Sequence, residues 1–416
     1  MDAASARYLS CYGNELPTTP QIDAFAQEAT LFERAYAQAA WTLPSAGSYL
    51  SGYYPPTKPR TKTSKVVLTV PIAAVLRRLG MQTAAFSENP YVTEGFGLNT
   101  GFDVFKEYFP FEVFDKTRGH FGRIDSAKTV TDVIEWLDEH GSDPNGFFLY
   151  VHLLPPHAPY DPPPPFAGRY DIGYDGGVEG TPGTLVKIDK RELRVRERDL
   201  QHLRAKYQEN LAFVDHQMGR ILQRLRDGGM LDKTLLMITS DHGEAFREHG
   251  RMMHNSTVYE EMIHVPLIVR FPSRVGEVPR RWKGVVELAD IMPTICDVLG
   301  FGLSKMPHGR SLLERLQEDN EGDGFARSWS SMMSKVMPAV ITQEHKLILD
   351  PDTGQVELYN LRIDPAEMIN IAATSPEIVE RLKSLLLAEN ASTLETEEVP
   401  VDEEVEKRLR SLGYVE

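Results

Sequence analysis

The segment SDHGEAFREHGRMMH concentrates side chains that bind metal ions and transfer protons. Its acids and imidazoles are Asp241, His242, Glu244, Glu248, His249 and His254. Adjacent Asp241 and His242 offer a hard oxygen and an imidazole nitrogen, which together suit one divalent cation. An Asp-His-Gly sequence occurs as readily in a structural turn, but the further His254, twelve residues after His242, favours the metal site.

A second segment, HLLPPHAPYDP, places His152 and His157 around a proline-stiffened loop. One loop histidine is more often a structural residue than a functional one. Both segments, however, follow apolar runs that predict buried strands, FFLYVHL and LLMITS. Because ligand sites in open α/β sheets form beyond the carboxyl ends of strands, we expect the chemistry in these two segments.

A threonine opens the short helix that the segment TLPSAGSYLSG predicts, with Pro44 in its first turn and a stop at Gly52. In one interpretation, Thr42 or Ser45 only caps the helix. In the other, the helix N-terminus faces an anion and a metal activates the Thr42 hydroxyl for attack on an ester. The residues alone leave both interpretations open.

Helical and strand-like patterns alternate along most of the chain, which predicts an α/β fold with a parallel-rich sheet covered by helices. The predicted helices are PIAAVLRRL before Gly80, TVTDVIEWLDEH and the segment 199–226, and the further strands are QTAAFS and VPLIVRF. The stretch from PYDPPPPF to about Val186, rich in Pro, Gly, Asp and Tyr, predicts a long loop at the rim of the site.

The pattern changes at about residue 304. Two strand-like runs flank the turn-rich DPDTG and predict a hairpin, and EIVERLKSLLLAE follows as an amphipathic helix. We therefore expect a catalytic α/β domain over 1–303 and a smaller antiparallel subdomain over 304–416, with a hairpin and terminal helices.

Composition narrows the range of partners. The chain of 416 residues has 45 Lys and Arg against 60 Asp and Glu, and its net charge of −15 disfavours nucleic acid. Cys11 and Cys296 give no disulfide framework, so the cytoplasm is the default compartment. No apolar run reaches the roughly 18 residues of a transmembrane helix. MDAASARYLS lacks the features of a signal peptide, although a signal upstream would not be visible.

Taken together, the motifs resemble the sulfatase family within the alkaline phosphatase superfamily. The stretches that carry the resemblance appear in the family's order and include TPQIDAFAQEATLFERAYAQAAWTLPSAGSYLSGYYP, FLYVHLLPPHAPYDPP, LDKTLLMITSDHGEAFREHG, YEEMIHVPLIVRFP, LADIMPTICDVLG and ELYNLRIDPAE. The resemblance implies an alkaline-phosphatase-like, mostly parallel sheet sandwiched by helices, with a smaller C-terminal antiparallel α+β subdomain.

The resemblance also implies a metal site. It places the first metal carboxylate on Asp2 and the strand-end metal pair on Asp241 and His242. The family begins with an apolar strand before that first carboxylate, whereas only Met1 precedes Asp2 here. Either the true start lies upstream of Met1 or this first strand is missing. A missing strand would leave the neighbouring sheet edges exposed and Asp2 loosely held, which we expect of the chain that starts at Met1. A second acidic residue that often follows the first ligand is replaced by Ala3.

Three further residues match the family's substrate-contacting positions. His157 matches the histidine that contacts the ester or assists the leaving group, and His254 matches a Lys or His that faces the transferred group. Asn89 resembles a substrate-contacting asparagine; taken alone, an asparagine before a proline is typical of a turn.

The chain departs from the family at the nucleophile. Sulfatases carry Cys or Ser followed by x-Pro-Ser-Arg, and oxidation of that Cys or Ser gives formylglycine. Here the run is TLPSA, and threonine cannot yield that aldehyde, so we expect no formylglycine. Threonine is the nucleophile in phosphodiesterase and phosphoethanolamine-transferase relatives. The resemblance thus implies a divalent cation (Ca, Mg, Mn or Zn) held by Asp2, Thr42, Asp241 and His242.

The expected function is hydrolysis of a phosphate or sulfate ester on a small molecule or glycan, through a covalent Thr42 intermediate. A phosphate ester is the better chemical match, because a sulfated threonine lacks the hemiacetal route by which formylglycine releases sulfate. Two alternatives remain open: transfer of a phosphoryl group to another alcohol, and an inactive sulfatase fold that only binds a sugar or anion.

Overall fold

The computed structural model describes residues 1–56, 64–68, 70–108, 114–115, 120–121, 124–303, 308–318, 321–322, 324–332, 335–387 and 394–398. The helices are α1 (Pro20–Ala26), α2 (Thr42–Ser51), α3 (Ile72–Arg78), α4 (Ser126–His140), α5 (Pro182–Asp189), α6 (Glu197–Asp227), α7 (Glu260–Ile263), α8 (Ile291–Leu299), α9 (Leu312–Glu318) and α10 (Pro376–Leu387). The strands are β1 (Thr30–Tyr36), β2 (Ser64–Val67), β3 (Gln82–Ser87), β4 (Val104–Glu107), β5 (Phe114–Asp115), β6 (His120–Phe121), β7 (Phe147–His152), β8 (Leu236–Thr239), β9 (Ala245–Phe246), β10 (Met252–Met253), β11 (His264–Arg270), β12 (Arg281–Glu287), β13 (Phe325–Met332), β14 (Lys335–Thr342), β15 (His345–Leu349), β16 (Val356–Asn360) and β17 (Glu395–Glu398).

Two sheets form the α/β core. In the first, of order β4–β3–β7, both pairings are parallel. In the second, of order β12–β1–β11–β8, β1 pairs parallel with β12, and β11 pairs antiparallel with both β1 and β8. The α/β class is confirmed, and the core is mixed with parallel pairings in the majority.

Helices cover these sheets because one stripe of each is apolar. On α6, the residues Leu203, Tyr207, Leu211 and Val214 recur at helical spacing and are buried in the same cluster as Phe86 of β3. The opposite face of this 31-residue helix is polar. Among the described residues, no helix combines the length and the apolar character needed to cross a bilayer.

The two sheets meet at the start of the chain. Within the described residues, β7 and β8 each pair with one strand only. Asp2 forms a parallel bridge with Pro156, just after β7, and the Met1 amino group donates to Thr239 O at the end of β8 at 3.1 Å. Residues 1–4 therefore contact the carboxyl ends of both β7 and β8, where the chemistry is expected.

The C-terminal part is a separate antiparallel sheet of order β13–β14–β15–β16. The predicted hairpin across DPDTG is confirmed, since His345 pairs with Asn360 and Leu349 with Val356. The predicted helix is α10, and its Val379 and Leu382 are buried against Val340 and Leu347 of this sheet. The boundary at residues 304–307 and the tail beyond residue 398 lie outside the described residues, so the division at residue 303 stays a prediction.

The predicted loop after β7 ends earlier than expected. Residues from Pro182 on form α5, whereas the composition of the segment predicts loop to about Val186. The side chain of Thr181 caps this helix by accepting from Thr184 N at 3.3 Å, and Pro182 occupies its first position. The Thr-Pro pair is a helix-start signal that the abundance of proline and glycine obscured.

The buried acid Glu287 connects the α/β core with the C-terminal sheet, and a second buried acid, Asp290, lies beside it. Tyr54 donates to Glu287 Oε1 at 2.7 Å, and the Arg327 amide donates to Oε2 at 3.0 Å. Burial and the nearby Asp290 raise the pKa of Glu287 to about 8. Arg315 lies 3.4 Å from Asp290 and offsets part of this negative charge.

The free energy of unfolding is expected to fall as pH rises from about 4 to about 8. Glu287 ionises near its ordinary pKa of about 4.3 in the unfolded chain but keeps its proton in the folded one. Below pH about 4 both states are protonated, so the effect vanishes; above pH about 8 it is complete, on the order of 5 kcal/mol. Urea titrations of the wild type and of Glu287→Gln, which stays neutral, should give a shallower decline for the variant. Parallel declines would contradict the assignment.

Candidate active site

The structure brings together the side chains that the sequence singles out. They come from the chain start, the first turn of α2, and the segments that follow β3, β7, β8 and β10, namely Asp2, Thr42, Asn89, His157, Asp241, His242 and His254. Each of these seven side chains is buried, with at most 2% of its residue surface exposed. The roles assigned to them remain proposals, but their proximity is a feature of the fold.

The Asp-His-Gly segment after β8 is both a tight turn and a candidate metal site. Asp241 Oδ1 accepts from the backbone amides of Ala3, at 3.1 Å, and His242, at 3.0 Å. This leaves Asp241 Oδ2 facing His242 Nε2 at 3.5 Å. A side chain at Gly243 would lie 2.2 Å from the carbonyl oxygen of Glu261, so only glycine allows this close approach.

Asp2 faces the same point from the other sheet. Its Oδ2 accepts from His152 Nε2 at 2.9 Å and from Asn89 Nδ2, and its Oδ1 lies 3.6 Å from His242 Nε2. The backbone amide of Ala4 donates to Ser240 Oγ at 2.7 Å. The expectation that Asp2 is loosely held is therefore wrong for this structure: side-chain and backbone hydrogen bonds fix it from both sheets.

These residues fit a divalent cation. Asp2 Oδ1 and Asp241 Oδ2 are buried and have no hydrogen-bond partner among the described residues. Buried carboxylate oxygens without donors are costly, and a cation would satisfy both. Asp2, His152 and Asp241 each offer one ligand atom within 4.8 Å of the others, and a set of mixed imidazole and carboxylate donors suits a metal such as Zn or Mn.

Thr42 is the first residue of α2 but does not cap it. The N-cap residue is Trp41, and no side chain makes a capping hydrogen bond. Thr42 Oγ1 instead lies 3.3 Å from His242 Nε2 and accepts from Asn89 Nδ2 at 3.3 Å. Ser45 Oγ donates to the carbonyl of Asp241 at 2.6 Å, so it braces the turn after β8. The capping interpretation is thus not what the structure shows.

Two histidines line the other side of the site. The ring of His254 lies 4.4 Å from that of His242 and 4.9 Å from that of His157, centroid to centroid. His157 Nδ1 donates to the Ala158 carbonyl at 2.6 Å, and His254 Nδ1 lies 3.0 Å from Glu244 Oε1. Since a carbonyl only accepts, neutral His157 carries its proton on Nδ1 and a lone pair on Nε2. Neutral His254 has the same tautomer when Glu244 is ionised, because an ionised carboxylate only accepts.

The pKa values of these groups shift in different directions because of burial and neighbouring charges. Burial and the neighbouring His242 lower the pKa of His254 to about 3, and burial lowers the pKa of His157. Burial opposes ionisation of Asp2, but His157 and His152 hold the pKa of this carboxyl well below its usual range. Burial raises the pKa of Glu244 to about 7. Burial opposes protonation of His242, but the charges of Asp241 and Asp2 raise the pKa of this imidazole above its usual value. A cation that binds His242 Nε2 would therefore displace a proton there, as metal binding to an imidazole requires.

Three further residues of the segments around the ends of β7 and β8 make contacts that their spacing in the sequence does not predict. His152, not included in the predicted ligand set, contacts Asp2 directly, and its position as the last residue of β7 was the available signal. Glu248 pairs with Arg7 at 2.6 Å, and His249 lies 2.8 Å from Glu261. Neither has a described contact with the Asp2 and Asp241 carboxylates.

A comparison with known families gives this geometry a context. The sulfatase family model matches residues 1–301, or most of the chain. The chain belongs to the sulfatase family. A further model, described as N-sulphoglucosamine sulphohydrolase, C-terminal, matches residues 247–392, which include the antiparallel sheet of this sulfatase-family chain.

Similar proteins include sulfate-ester and phosphonate-ester hydrolases by name. An arylsulfatase of Clostridium perfringens (strain 13 / Type A) is 23% identical over 445 residues, which cover 92% of this chain and 91% of that protein. A phosphonate monoester hydrolase of Agrobacterium radiobacter has a TM-score of 0.71 and 23% identity, and the match covers 92% of each chain. A protein solved in complex with its substrate D-glucosamine-2-N,6-O-disulfate has a TM-score of 0.69 and 22% identity, over 92% of this chain and 95% of that one. At these identities the structures establish the shared fold, and the reacting ester of this sulfatase-family chain stays open.

Proposed function

We propose that the protein hydrolyses a phosphate or sulfate ester with Thr42 as nucleophile and one divalent cation as cofactor. The observation that carries this proposal is the position of the Thr42 hydroxyl. It lies at the N-terminus of α2, 3.3 Å from His242 Nε2. The same Nε2 lies 3.6 Å from Asp2 Oδ1 and 3.5 Å from Asp241 Oδ2, the two carboxylate oxygens that have no described donor. Asp2, Asp241 and His242, with Thr42 itself, would hold the cation.

The covalent steps follow from the groups present. Thr42 Oγ gives up its proton to solvent and bonds to phosphorus or sulfur while the bond to the leaving oxygen breaks. A water molecule then attacks the Thr42 ester, releases the inorganic anion and returns a proton to Oγ. When bound, the cation lowers the pKa of the hydroxyl and offsets charge on the non-bridging oxygens.

His157 and His254 would act on the oxygens of the ester. While the rings are neutral, each Nε2 atom carries a lone pair, so neither Nε2 can donate a hydrogen bond to the ester. Entry of an anionic ester brings negative charge close to both rings and favours their protonation. A protonated His157 can then donate to the leaving oxygen, and His254, held by Glu244 at 3.0 Å, can stabilise the transferred group.

A phosphate ester is favoured over a sulfate ester. Thr42 replaces the residue from which sulfatases make formylglycine, and a threonine sulfate must be released by direct hydrolysis. Sulfate esters stay in the proposal because a named arylsulfatase is a relative over nearly the full length. The substrate would be a small molecule or glycan, by analogy with the disulfated glucosamine bound by a structural neighbour.

Metal-dependent turnover tests the proposal. The chelated protein should be inactive and should recover activity with one of Ca, Mg, Mn or Zn, measured on nitrophenyl phosphate monoester, diester and sulfate in parallel. Turnover of a phosphate ester above the sulfate would support the preferred chemistry. An added alcohol that is esterified in place of water would identify a transferase, and metal binding without turnover of any ester would favour an inactive binding module.

The substitution His157→Ala is expected to slow hydrolysis most for esters with poor leaving groups. Loss of a general acid typically costs about 10²- to 10⁴-fold. An alkyl phosphate, whose alkoxide needs a proton, should show this loss, whereas a nitrophenyl ester should lose roughly 10-fold or less. His216→Ala, on the exposed face of α6, is the matched control. Equal losses on both esters would remove His157 from this role.

A further inference from the structure

A chain of buried hydrogen bonds leads away from Asp2 through β7 to α2. His152 Nε2 lies 2.9 Å from Asp2 Oδ2, and His152 Nδ1 lies 2.7 Å from the Tyr150 hydroxyl. The Tyr150 hydroxyl lies 2.7 Å from that of Tyr49. Tyr150 and His152 are two residues apart on β7, so their side chains are on the same face of the sheet.

The acceptor at the end of the chain sets the direction of its hydrogen bonds. Ionised Asp2 can only accept, so His152 donates through Nε2. In the neutral ring Nδ1 then accepts, and the donor is the Tyr150 hydroxyl. The Tyr150 oxygen in turn accepts from Tyr49. Each member thereby fixes the orientation of the next: Asp2 sets the tautomer of His152, and the Tyr150 hydroxyl, which donates to Nδ1, holds the imidazole ring in this orientation.

The consequence concerns which oxygen of Asp2 remains available. Oδ2 has two donors, His152 and Asn89. Oδ1 has no hydrogen-bond partner among the described residues and lies 3.6 Å from His242 Nε2. Rotation of the carboxylate would exchange the two oxygens, and the donors on Oδ2 oppose that rotation.

We propose that Tyr150, supported by Tyr49 and acting through His152, positions Asp2 so that Oδ1 faces the cation. These three are positioning residues, and the inference rests on the metal site of the proposed function. It differs from the alternative that His152 binds the cation directly, which the spacing of Asp2, His152 and Asp241 would also permit.

Binding of Mn²⁺ to the full-length protein tests the chain. Tyr150→Phe should weaken Mn²⁺ binding by about 10- to 100-fold, the usual cost of losing a group that orients a metal ligand. Tyr49→Phe should weaken it by a smaller factor, because the Tyr150 hydroxyl remains. Tyr108→Phe removes an equally short phenol-to-carboxylate bond, 2.7 Å to Asp132, outside the site and should leave the affinity unchanged. Wild-type affinity in Tyr150→Phe would overturn the proposal.

A second pair of variants separates positioning from ligation. His152→Gln can place an amide N–H near the position of Nε2 and should retain most of the affinity that His152→Ala loses. The nitrogen modulation in pulsed electron paramagnetic resonance of bound Mn²⁺ should then be the same in wild type and His152→Gln. Loss of one imidazole nitrogen in His152→Gln would make His152 a ligand and overturn the positioning role.

The outcomes also separate this inference from the proposed function. If the wild-type protein binds Mn²⁺ but hydrolyses no ester, the proposed hydrolase function is refuted. The positioning role of Tyr150 is still tested in that case, because Mn²⁺ affinity is measured without turnover. Wild-type protein that binds none of Mn²⁺, Ca²⁺, Mg²⁺ and Zn²⁺ refutes both.

Discussion

Replacing Thr42 by alanine is expected to lower ester hydrolysis by roughly 10³-fold or more. Deletion of a nucleophile removes the covalent route entirely, and the remaining rate comes from water attack in the same site. Thr42→Ser keeps a hydroxyl at the same position and should retain activity within about 10-fold. Rates on the most reactive nitrophenyl ester, measured with saturating metal, give the comparison.

The structure provides a control for the loss of a hydroxyl from the same helix. Ser48 Oγ donates to the Pro44 carbonyl at 2.9 Å and does not touch the carboxylate and imidazole cluster. Ser48→Ala should therefore keep full activity. Thr42 makes no capping bond, and alanine is a good helix former. The free energy of unfolding of Thr42→Ala should therefore lie within about 1 kcal/mol of the wild-type value.

The covalent ester can also be sought directly. Acid quenching during turnover, followed by mass spectrometry, should find a phosphorylated or sulfated peptide that contains Thr42. Wild-type rates in Thr42→Ala, or modification of a different hydroxyl, would exclude this threonine as the nucleophile and leave water as the attacking group.

Asp241→Asn is expected to weaken Mn²⁺ binding by about 100-fold or more, equivalent to roughly 2.7 kcal/mol. The substitution keeps the shape of the side chain and an oxygen that can accept from the Ala3 and His242 amides, but removes the charge beside His242. Isothermal titration of the metal-free protein measures the loss, and turnover should fall in parallel.

The same substitution should have the opposite effect on stability without metal. Asp241 Oδ2 is buried with no described donor and shares its surroundings with Asp2. Neutralising one of two neighbouring buried carboxylates, each of which has one oxygen without a described donor, lowers their mutual repulsion and desolvation cost. Metal-free Asp241→Asn should therefore resist urea at least as well as the wild type, whereas with Mn²⁺ the wild type should be the more stable.

Asp215→Asn is the control for this prediction. Asp215 is a buried acid of α6 whose carboxylate accepts from the backbone amides of Gln21 and Ile22 at the start of α1. The same change there should not alter Mn²⁺ affinity. A loss of affinity equal to that of Asp241→Asn would indicate a general effect on the fold rather than a lost metal ligand.

The position of most elements follows from local chemistry in the chain. The 3.6-residue spacing of Leu203, Tyr207 and Leu211 predicts α6, and the apolar run before His152 predicts β7. The hairpin between β15 and β16 follows from the turn residues of DPDTG. Strand direction does not follow in this way: the apolar run of β11 reads the same in a parallel or an antiparallel pairing, and its antiparallel partners β1 and β8 are set by long-range connections.

The sequence by itself determined the kinds of donor available and the strand ends that carry them. Only the tertiary structure decided which atoms meet. Asp2 and Asp241 are 239 positions apart, and their approach depends on how two sheets pack around residues 1–4. The sequence does not distinguish His152 from a loop histidine, because no local pattern connects it with Asp2. Hydrogen bonds and unpaired carboxylate oxygens depend on distance in space, and a linear pattern specifies that distance only within a helix, a strand or a turn.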